Sequence, residues 1–128
     1  MKPEAQRIAI AEACGWEEIH TQPFTDSLNT HYKRLFGYPR IDGGLCYESE
    51  PIPDYLTDLN AMHEAENTLP AKSWGNYRIY LMKTCNCTFM ETGEIVVFCS
   101  DVDMLINATA AQRAEAFLRT IGKWEARK

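Results

Sequence analysis

One predicted helix carries the side chains in this sequence that are best suited to acid–base chemistry. His63 is followed by Glu64 and, three residues on, by Glu66. A helix can hold an imidazole beside a carboxylate, an arrangement that suits general acid–base catalysis. The zinc-protease pattern needs a second histidine four positions after the first, and here that position is Asn67. His63 is therefore interpreted first as a polar surface residue or a partner of a neighbouring loop, and a small hydrolase stays an alternative.

A second set of side chains, aromatic and basic, is typical of sites that bind small anionic ligands. An aromatic ring can stack on a flat ligand, and a guanidinium group can bind its phosphate. The candidate ligand-binding residues are Trp16, Arg34, Tyr38, Arg40, Tyr47, Tyr55 and His63. The alternative is that the tyrosines pack on a sheet and that the charges are solvated. Trp16, which follows a predicted helix cap, is expected to anchor the core.

Three cysteines raise the question of a metal site. Cys85, Cys87 and Cys99 could lie on adjacent strands, but a structural zinc site usually has a Cys-x-x-Cys pair and a fourth ligand. Alternate residues of a strand share one face, so Cys85 and Cys87 are predicted to fill a core or a sheet surface. No metal or other cofactor is predicted. The sequence also lacks a P-loop, a nucleophile elbow and a dinucleotide-binding glycine run, which favours a binding protein over an enzyme.

Length and composition predict one domain over residues 1–128. The apolar fraction of 45% and the charged fraction of 24% are ordinary for a globular protein. A formal net charge of −5 argues against a nucleic-acid polymer as partner. No stretch approaches the roughly 18 apolar residues of a membrane span, and the N-terminus does not read as a signal peptide. The odd count of five cysteines favours a reducing cytoplasm.

Three helices are predicted, near residues 4–14, 57–69 and 109–121. Each has apolar side chains that recur at three and four positions, as on one face of a helix. The first helix begins at Pro3, which suits a first turn, and ends before Gly15, which suits a left-handed cap.

Capping residues can also be recognised at the start of the other two helices. Thr57 or Asp58 can accept a hydrogen bond from the first free N–H groups of the second helix. The inward stripe of that helix is predicted to consist of Leu59, Met62, Glu66 and Leu69. Thr109 and Gln112 match a capping box at the start of the third helix.

Strands are predicted from alternation and from apolar runs. One short strand is expected over 19–24. A meander is expected over 77–83, 85–90 and 95–100, with a hairpin turn at 91–94. The sequence therefore predicts an α+β fold, with a small antiparallel sheet sandwiched between helical layers.

The remaining segments are predicted to be irregular. The first is the long segment 21–52, which contains a loop over 27–36 with one helical turn at most and a turn-rich run over 37–44. The second is a loop over 71–76, in which Trp74 is expected to cover the edge of the core. The third is a frayed tail at 125–128.

Three stretches resemble the phage ABA sandwich domain family, which are small proteins of tailed phages and prophages. The similar stretches are 8–16, 53–66 and 108–120, and their order and spacing match over most of the chain. The segment 21–52 departs from the family pattern. The resemblance implies a sheet between helical layers and a phage setting. It supplies no reaction, because most such proteins have no assigned activity.

These observations lead to three hypotheses of function. The first is a phage accessory protein, in the cytoplasm of the host cell, that binds and sequesters a small ligand without catalysis. Its most plausible ligand is a host nucleotide immune signal, and a homo-oligomer is expected. The second is a protein-interaction module that inhibits or recruits a host protein. The third is the hydrolase that uses His63 and nearby carboxylates.

Overall fold

The computed structural model describes residues 1–41, 44–45, 48–85 and 106–125. Its elements follow in chain order: α1 (Pro3–Ala13), β1 (Glu17–Thr25), β2 (His31–Tyr38), β3 (Arg40–Ile41), β4 (Gly44–Leu45), β5 (Glu50–Pro51), α2 (Leu59–Glu66), a 3-10 turn (Ala71–Ser73), α3 (Trp74–Thr84) and α4 (Ala110–Thr120). Strands β1, β2 and β5 form one antiparallel sheet, in the order β1-β2-β5. The predicted α+β class is confirmed.

The main hairpin of the sheet joins β1 to β2. Its turn is stabilised by the Asp26 carboxylate, which accepts hydrogen bonds from the N–H groups of Leu28 and Thr30 at 2.9 Å each. Asn29 has a φ of 60°, a value that asparagine tolerates better than most residues. The predicted strand over 19–24 lies within β1. The predicted loop over 27–36 is wrong, because this turn is short and β2 begins directly after it.

The run 37–44 was predicted to contain no regular element, and that prediction is also wrong. Gly37 and Tyr38 belong to β2, and β3 and β4 pair antiparallel with each other. The backbone at Gly37 lies close to the chain at the start of β1. A Cβ atom at this position would lie 3.2 Å from the Glu17 carbonyl oxygen and 3.3 Å from the Trp16 ring.

Helix α1 has the predicted bounds and cap. Gly15 has a φ of 94°, and the Trp16 N–H group donates to the Ala11 carbonyl at 3.0 Å. This bond folds the chain back over the last turn of the helix. Trp16 packs against the core, as predicted.

Helix α2 begins at the predicted cap and is shorter than predicted. The Asp58 carboxylate accepts from the Ala61 N–H group at 3.2 Å. Met62 is fully buried and Glu66 is nearly so. Leu59, predicted to face inward, is 40% exposed because it occupies the first helical position, ahead of the turn that packs on the core.

Helix α4 is the centre of the helical part and contacts α1, α2 and α3. The predicted capping box is present, with Gln112 N–H to Thr109 Oγ1 at 3.1 Å and Thr109 N–H to Gln112 Oε1 at 2.9 Å. Ala114, Phe117 and Leu118 are completely buried. This helix supplies the inner stripe that the sequence predicts.

The chain over 71–85 contradicts two predictions. The loop predicted over 71–76 is a 3-10 turn followed by the start of α3, and the strand predicted over 77–83 is the body of α3. Tyr77, Leu81 and Cys85 are buried at a spacing of four, whereas Ile79 is 38% exposed. Tyr77 and Leu81 fit both a strand alternation and a helix stripe, so Ile79 distinguishes the two. Trp74 packs on the edge of the core, as predicted.

The predicted strands over 85–90 and 95–100 and the turn at 91–94 lie outside the described residues except for Cys85, and Cys87 and Cys99 lie outside them too. Cys85 is buried at the C-terminal cap of α3, so it is not on a strand. The described ranges hold no group of His, Cys, Asp or Glu side chains that could bind a metal ion. None of the helices described is both long and apolar enough to cross a membrane.

Candidate functional site

A cavity of about 830 Å³ lies between α1 and the edge of β2, and we call it the α1–β2 groove. Its volume is within the range of about 300–1,000 Å³ that is usual for small-molecule sites. The groove combines apolar and charged residues: Pro3, Glu4, Arg7, Thr21, Tyr32, Lys33, Arg34, Leu35, Ile52 and Asp54. The buried side chains of Leu35 and Ile52 supply an apolar floor.

Arg7 is the principal cation of this groove. Its Nε atom lies 3.2 Å from Asp54 Oδ1, and Asp54 Oδ1 also accepts from the Leu56 N–H group at 3.2 Å. The Arg7 Nε atom is buried, and its angle to Asp54 does not meet hydrogen-bond geometry. No described residue accepts a hydrogen bond from the Arg7 guanidinium group. Asp54 therefore orients the guanidinium group, while the N–H donors of this group make no hydrogen bond to the described residues.

Lys33 is the second cation. Its side chain is exposed, and the described part of the chain gives it no ion-pair partner. Side chains alternate between the two faces of a strand, so Lys33 shares a face with Leu35, which packs into the core. Lys33 and Arg7 therefore border the groove from two different elements.

Arg34 and Tyr32 border the groove at its rim. They belong to the opposite face of the sheet, where an aromatic cluster forms around Phe24. The Tyr32 ring lies 5.5 Å from the Phe24 ring, and the Arg34 guanidinium lies 5.0 Å above it. Phe24 also contacts Phe36, with 6.1 Å between the ring centroids. This stacking orients the Arg34 guanidinium toward the outer face of the sheet.

The candidate residues Tyr55 and Trp16 belong to a buried cluster with Cys14. Tyr55 is 3% exposed, and burial raises the pKa of its hydroxyl well above the ordinary value, with the neighbouring Cys14 thiol adding to the effect. Burial likewise raises the pKa of the Cys14 thiol, although hydrogen bonding to Tyr55 and Thr68 partly opposes the shift. These groups pack in the interior and do not line the groove.

The other candidates are dispersed. Tyr38 is half-buried at the end of β2, opposite Glu17 of β1. For Arg40 the structure describes only the backbone, which lies in β3, and Tyr47 is outside the described residues. Of the candidates whose side chains are described, Arg34 borders the α1–β2 groove, and Trp16, Tyr38, Tyr55 and His63 do not.

His63 belongs to a polar cluster that joins three helices. Its Nδ1 atom lies 3.7 Å from Glu66 Oε2, while Arg113 Nη1 of α4 lies 3.4 Å from Glu66 Oε1. The Tyr77 hydroxyl of α3 is buried beside this pair without a hydrogen bond of regular geometry. Burial first, and the charge of Glu66 second, raise the pKa of Tyr77 well above its usual value.

This cluster is organised around Arg113. Its side chain is only 12% exposed, and its Nε atom also donates to the Ala108 carbonyl at 3.2 Å. Glu66 is therefore an internal counter-ion for a buried guanidinium, and His63 is a half-exposed neighbour. The arrangement explains why a glutamate occupies the inward stripe of α2.

Arg7 and Lys33 are not among the ligand-binding residues predicted from the sequence. Arg7 is a single basic residue in an alanine-rich helix, far along the chain from β2. Its contact with Asp54 depends on how α1 packs, which no local pattern reports. The one available signal was the turn at Asp54, whose carboxylate could be expected to accept from the chain that follows it.

Comparisons with known proteins add no relative. No protein-family model matches the chain, and neither the curated proteins nor the solved structures contain a match.

Proposed function

We propose that this protein binds a small phosphorylated ligand of the nucleotide class in the α1–β2 groove, without chemical conversion. The observation that carries the proposal is the pair of cations, Arg7 and Lys33, which both line the groove and whose side chains make no hydrogen bond to a described residue. A phosphate group accepts several charge-assisted hydrogen bonds, and guanidinium suits it especially well.

The rest of the groove suits the non-phosphate part of such a ligand. Leu35 and Ile52 provide an apolar floor on which a flat ring can lie. In nucleotide sites, carboxylates accept hydrogen bonds from ribose hydroxyl groups. Glu4 is a carboxylate of this groove that suits such a contact. The carboxylate of Asp54 is already used, because it orients Arg7 and accepts from Leu56.

The biological role that we propose follows from the similarity to small phage proteins. In that setting, a non-enzymatic binder of a nucleotide would remove a host immune signal by sequestration. Ligands of sequestering proteins are often enclosed between subunits, so we expect a homo-oligomer. The site that we now favour uses Arg7 and Lys33, with Arg34 at the rim, in place of the full set of tyrosines.

Native mass spectrometry tests this function directly. The protein is measured alone and after mixing with nucleoside monophosphates, cyclic nucleotides and ADP-ribose derivatives. We expect a stoichiometric adduct with the unchanged mass of one ligand class, and the same spectra report the number of subunits. A product mass in the solution would contradict a purely binding role. A bare protein with every ligand would contradict nucleotide binding altogether.

Before Leu35, no described residue pairs with the edge of β2 that faces away from β1, and this edge favours a second candidate, a protein-interaction module. Strand β5 pairs with β2 only at Phe36 and Gly37, so the preceding residues of β2 present an edge that an extended peptide could join. A stoichiometric partner protein recovered with no small molecule bound would favour this role over ligand sequestration.

A further inference from the structure

Lys33 lines the α1–β2 groove, and the hydrogen bonds around it indicate that its backbone N–H and C=O groups point away from β1. The Leu35 carbonyl accepts from the Ile52 N–H group at 3.0 Å, so the Leu35 backbone groups point away from β1. In an antiparallel strand this direction alternates from residue to residue. The Lys33 N–H and C=O groups therefore also point away from β1, toward the side where Ile52 lies.

The residue opposite Lys33 supports this orientation. Pro23 is the β1 partner of Lys33 in the register, and proline has no N–H group to donate. A proline is tolerated where the backbone of a strand makes no ladder hydrogen bond at that position. Pro23 and Lys33 thus form a pair that does not exchange hydrogen bonds.

The Lys33 backbone groups have no partner among the residues described, because β5 pairs with β2 only beyond Leu35. The Leu35 N–H group points in the same direction. Ile52 donates a hydrogen bond to the Leu35 carbonyl, but it accepts none from the Leu35 N–H group. The wall of the groove therefore presents one backbone acceptor between two backbone donors. Such groups are satisfied by water or by a ligand.

We infer that this backbone row hydrogen-bonds the planar edge of a nucleobase while Arg7 and the Lys33 ammonium group hold the phosphate. The inference rests on the proposed function and specifies how the site recognises its ligand: it reads the base of the nucleotide as well as the phosphate that a sugar phosphate shares. Every nucleobase presents a donor and an acceptor side by side on its edge, which the C=O and N–H groups of Lys33 match, with the Leu35 N–H group beside them.

A nucleobase fits this edge better than a peptide strand does. Only His31 and Lys33 present both an N–H and a C=O group on the free side of β2, since Leu35 already uses its carbonyl. Strand addition depends on a longer row of main-chain hydrogen bonds for its affinity. A single base needs only the short row that is present here.

Two variants at one position separate the backbone from the side chain. Lys33→Ala removes the ammonium group and keeps the N–H group, whereas Lys33→Pro removes both. Proline is expected to be accepted here because the N–H group lies outside the β1 ladder. Calorimetry with AMP, GMP, CMP, UMP and ribose 5-phosphate then measures how much each contact contributes to the binding affinity.

We expect wild-type protein to bind at least one nucleotide more tightly than ribose 5-phosphate. Lys33→Ala should weaken both kinds of ligand by a similar factor. Lys33→Pro should weaken nucleotide binding by a further factor of about 3 to 10, which is the usual effect of losing one neutral hydrogen bond. The affinity for ribose 5-phosphate should show no further loss. An equal loss for Lys33→Ala and Lys33→Pro would overturn the inference.

Hydrogen exchange of the wild-type protein provides a test that needs no variant. The preferred nucleotide should slow exchange at the Lys33 and Leu35 amides, and ribose 5-phosphate should not. Ribose 5-phosphate binding as tightly as every nucleotide would overturn the base contact and leave the proposed function standing. No binding by any phosphorylated ligand would overturn both. Protection of these amides by an acidic peptide alone would assign the edge to a protein partner.

Discussion

Glu66 of α2 and Arg113 of α4 form an ion pair in the interior of the helical part, with 3.4 Å between Oε1 and Nη1. Their side chains are 7% and 12% exposed, so neither charge has much access to water. Arg113 also donates to the Ala108 carbonyl, which fixes the guanidinium at the start of α4. The pair therefore connects two helices that are distant in the sequence.

Breaking this pair should strongly destabilise the protein. Glu66→Gln removes the negative charge of this pair while the Arg113 charge stays buried, and we expect a loss of about 3–5 kcal/mol in the free energy of unfolding. Urea unfolding followed by circular dichroism measures it. The matched control is Glu115→Gln, which removes a more exposed partner of Arg119 at 3.5 Å and should cost less than about 1 kcal/mol. Equal costs would show that the Glu66 pair is not buried in solution.

Tyr77 should make the fold sensitive to alkaline pH. The pKa of Tyr77 is raised in the folded protein by burial and by Glu66, so its contribution to stability is fully present below the unfolded pKa of about 10. As pH rises beyond that value, the unfolded chain ionises first and stability falls. Thermal melts between pH 8 and 11 should show this decline, and Tyr77→Phe should reduce its slope. Tyr55→Phe, at the other buried phenol, should give a comparable reduction.

An unchanged slope in Tyr77→Phe would contradict the buried position of the hydroxyl. At pH 7 this variant should be about as stable as the wild-type protein, because the hydroxyl makes no regular hydrogen bond whose loss would be felt.

The Cys14 thiol should react slowly in the folded protein. Its raised pKa lowers the fraction of thiolate at neutral pH, and the thiolate is the reactive form. Iodoacetamide labelling at pH 7.5, followed by peptide mass spectrometry, should give a clearly lower rate for Cys14 in the folded protein than in urea. Equal rates in the two conditions would place the thiol in solvent.

The caps of α1, α2 and α4 could be predicted because the residues that form them are adjacent in the sequence. Asp58 contacts Ala61, and Thr109 contacts Gln112, so composition and spacing suffice. Helix α3 was predicted as a strand because its buried aromatic and aliphatic residues also alternate. Only the exposure of Ile79 shows which periodicity the core selects.

The sheet and the candidate site depend on contacts that the sequence does not report locally. The first residues of β2 are polar, as is usual for an exposed part of a strand. The sequence therefore predicted a loop there. Arg34 was identified through its residue type, but its guanidinium stacks on Phe24. Arg7 could not be recognised as a candidate without knowing that α1 lies beside Asp54.

Arg7 should contribute more to ligand affinity than a similar residue outside the groove. Arg7→Ala removes charge-assisted hydrogen bonds to phosphate, worth about 1.5–3 kcal/mol, so the Kd should rise roughly 10- to 100-fold. The control is Arg78→Ala, at an exposed cation of α3 that does not line the groove. Its Kd should equal that of wild type. Both proteins should keep the wild-type melting temperature within a few degrees, because the Arg7–Asp54 pair is partly exposed.

A nitrogen–proton correlation spectrum recorded during titration with the preferred nucleotide locates the binding site most directly. We expect the largest shift changes on the amides of Arg7, Lys33, Leu35, Ile52 and Asp54. Signals of α4, such as those of Phe117 and Leu118, should stay unchanged. Shift changes centred on His63 and Glu66, or an unchanged spectrum at saturating ligand, would contradict a binding site in the α1–β2 groove.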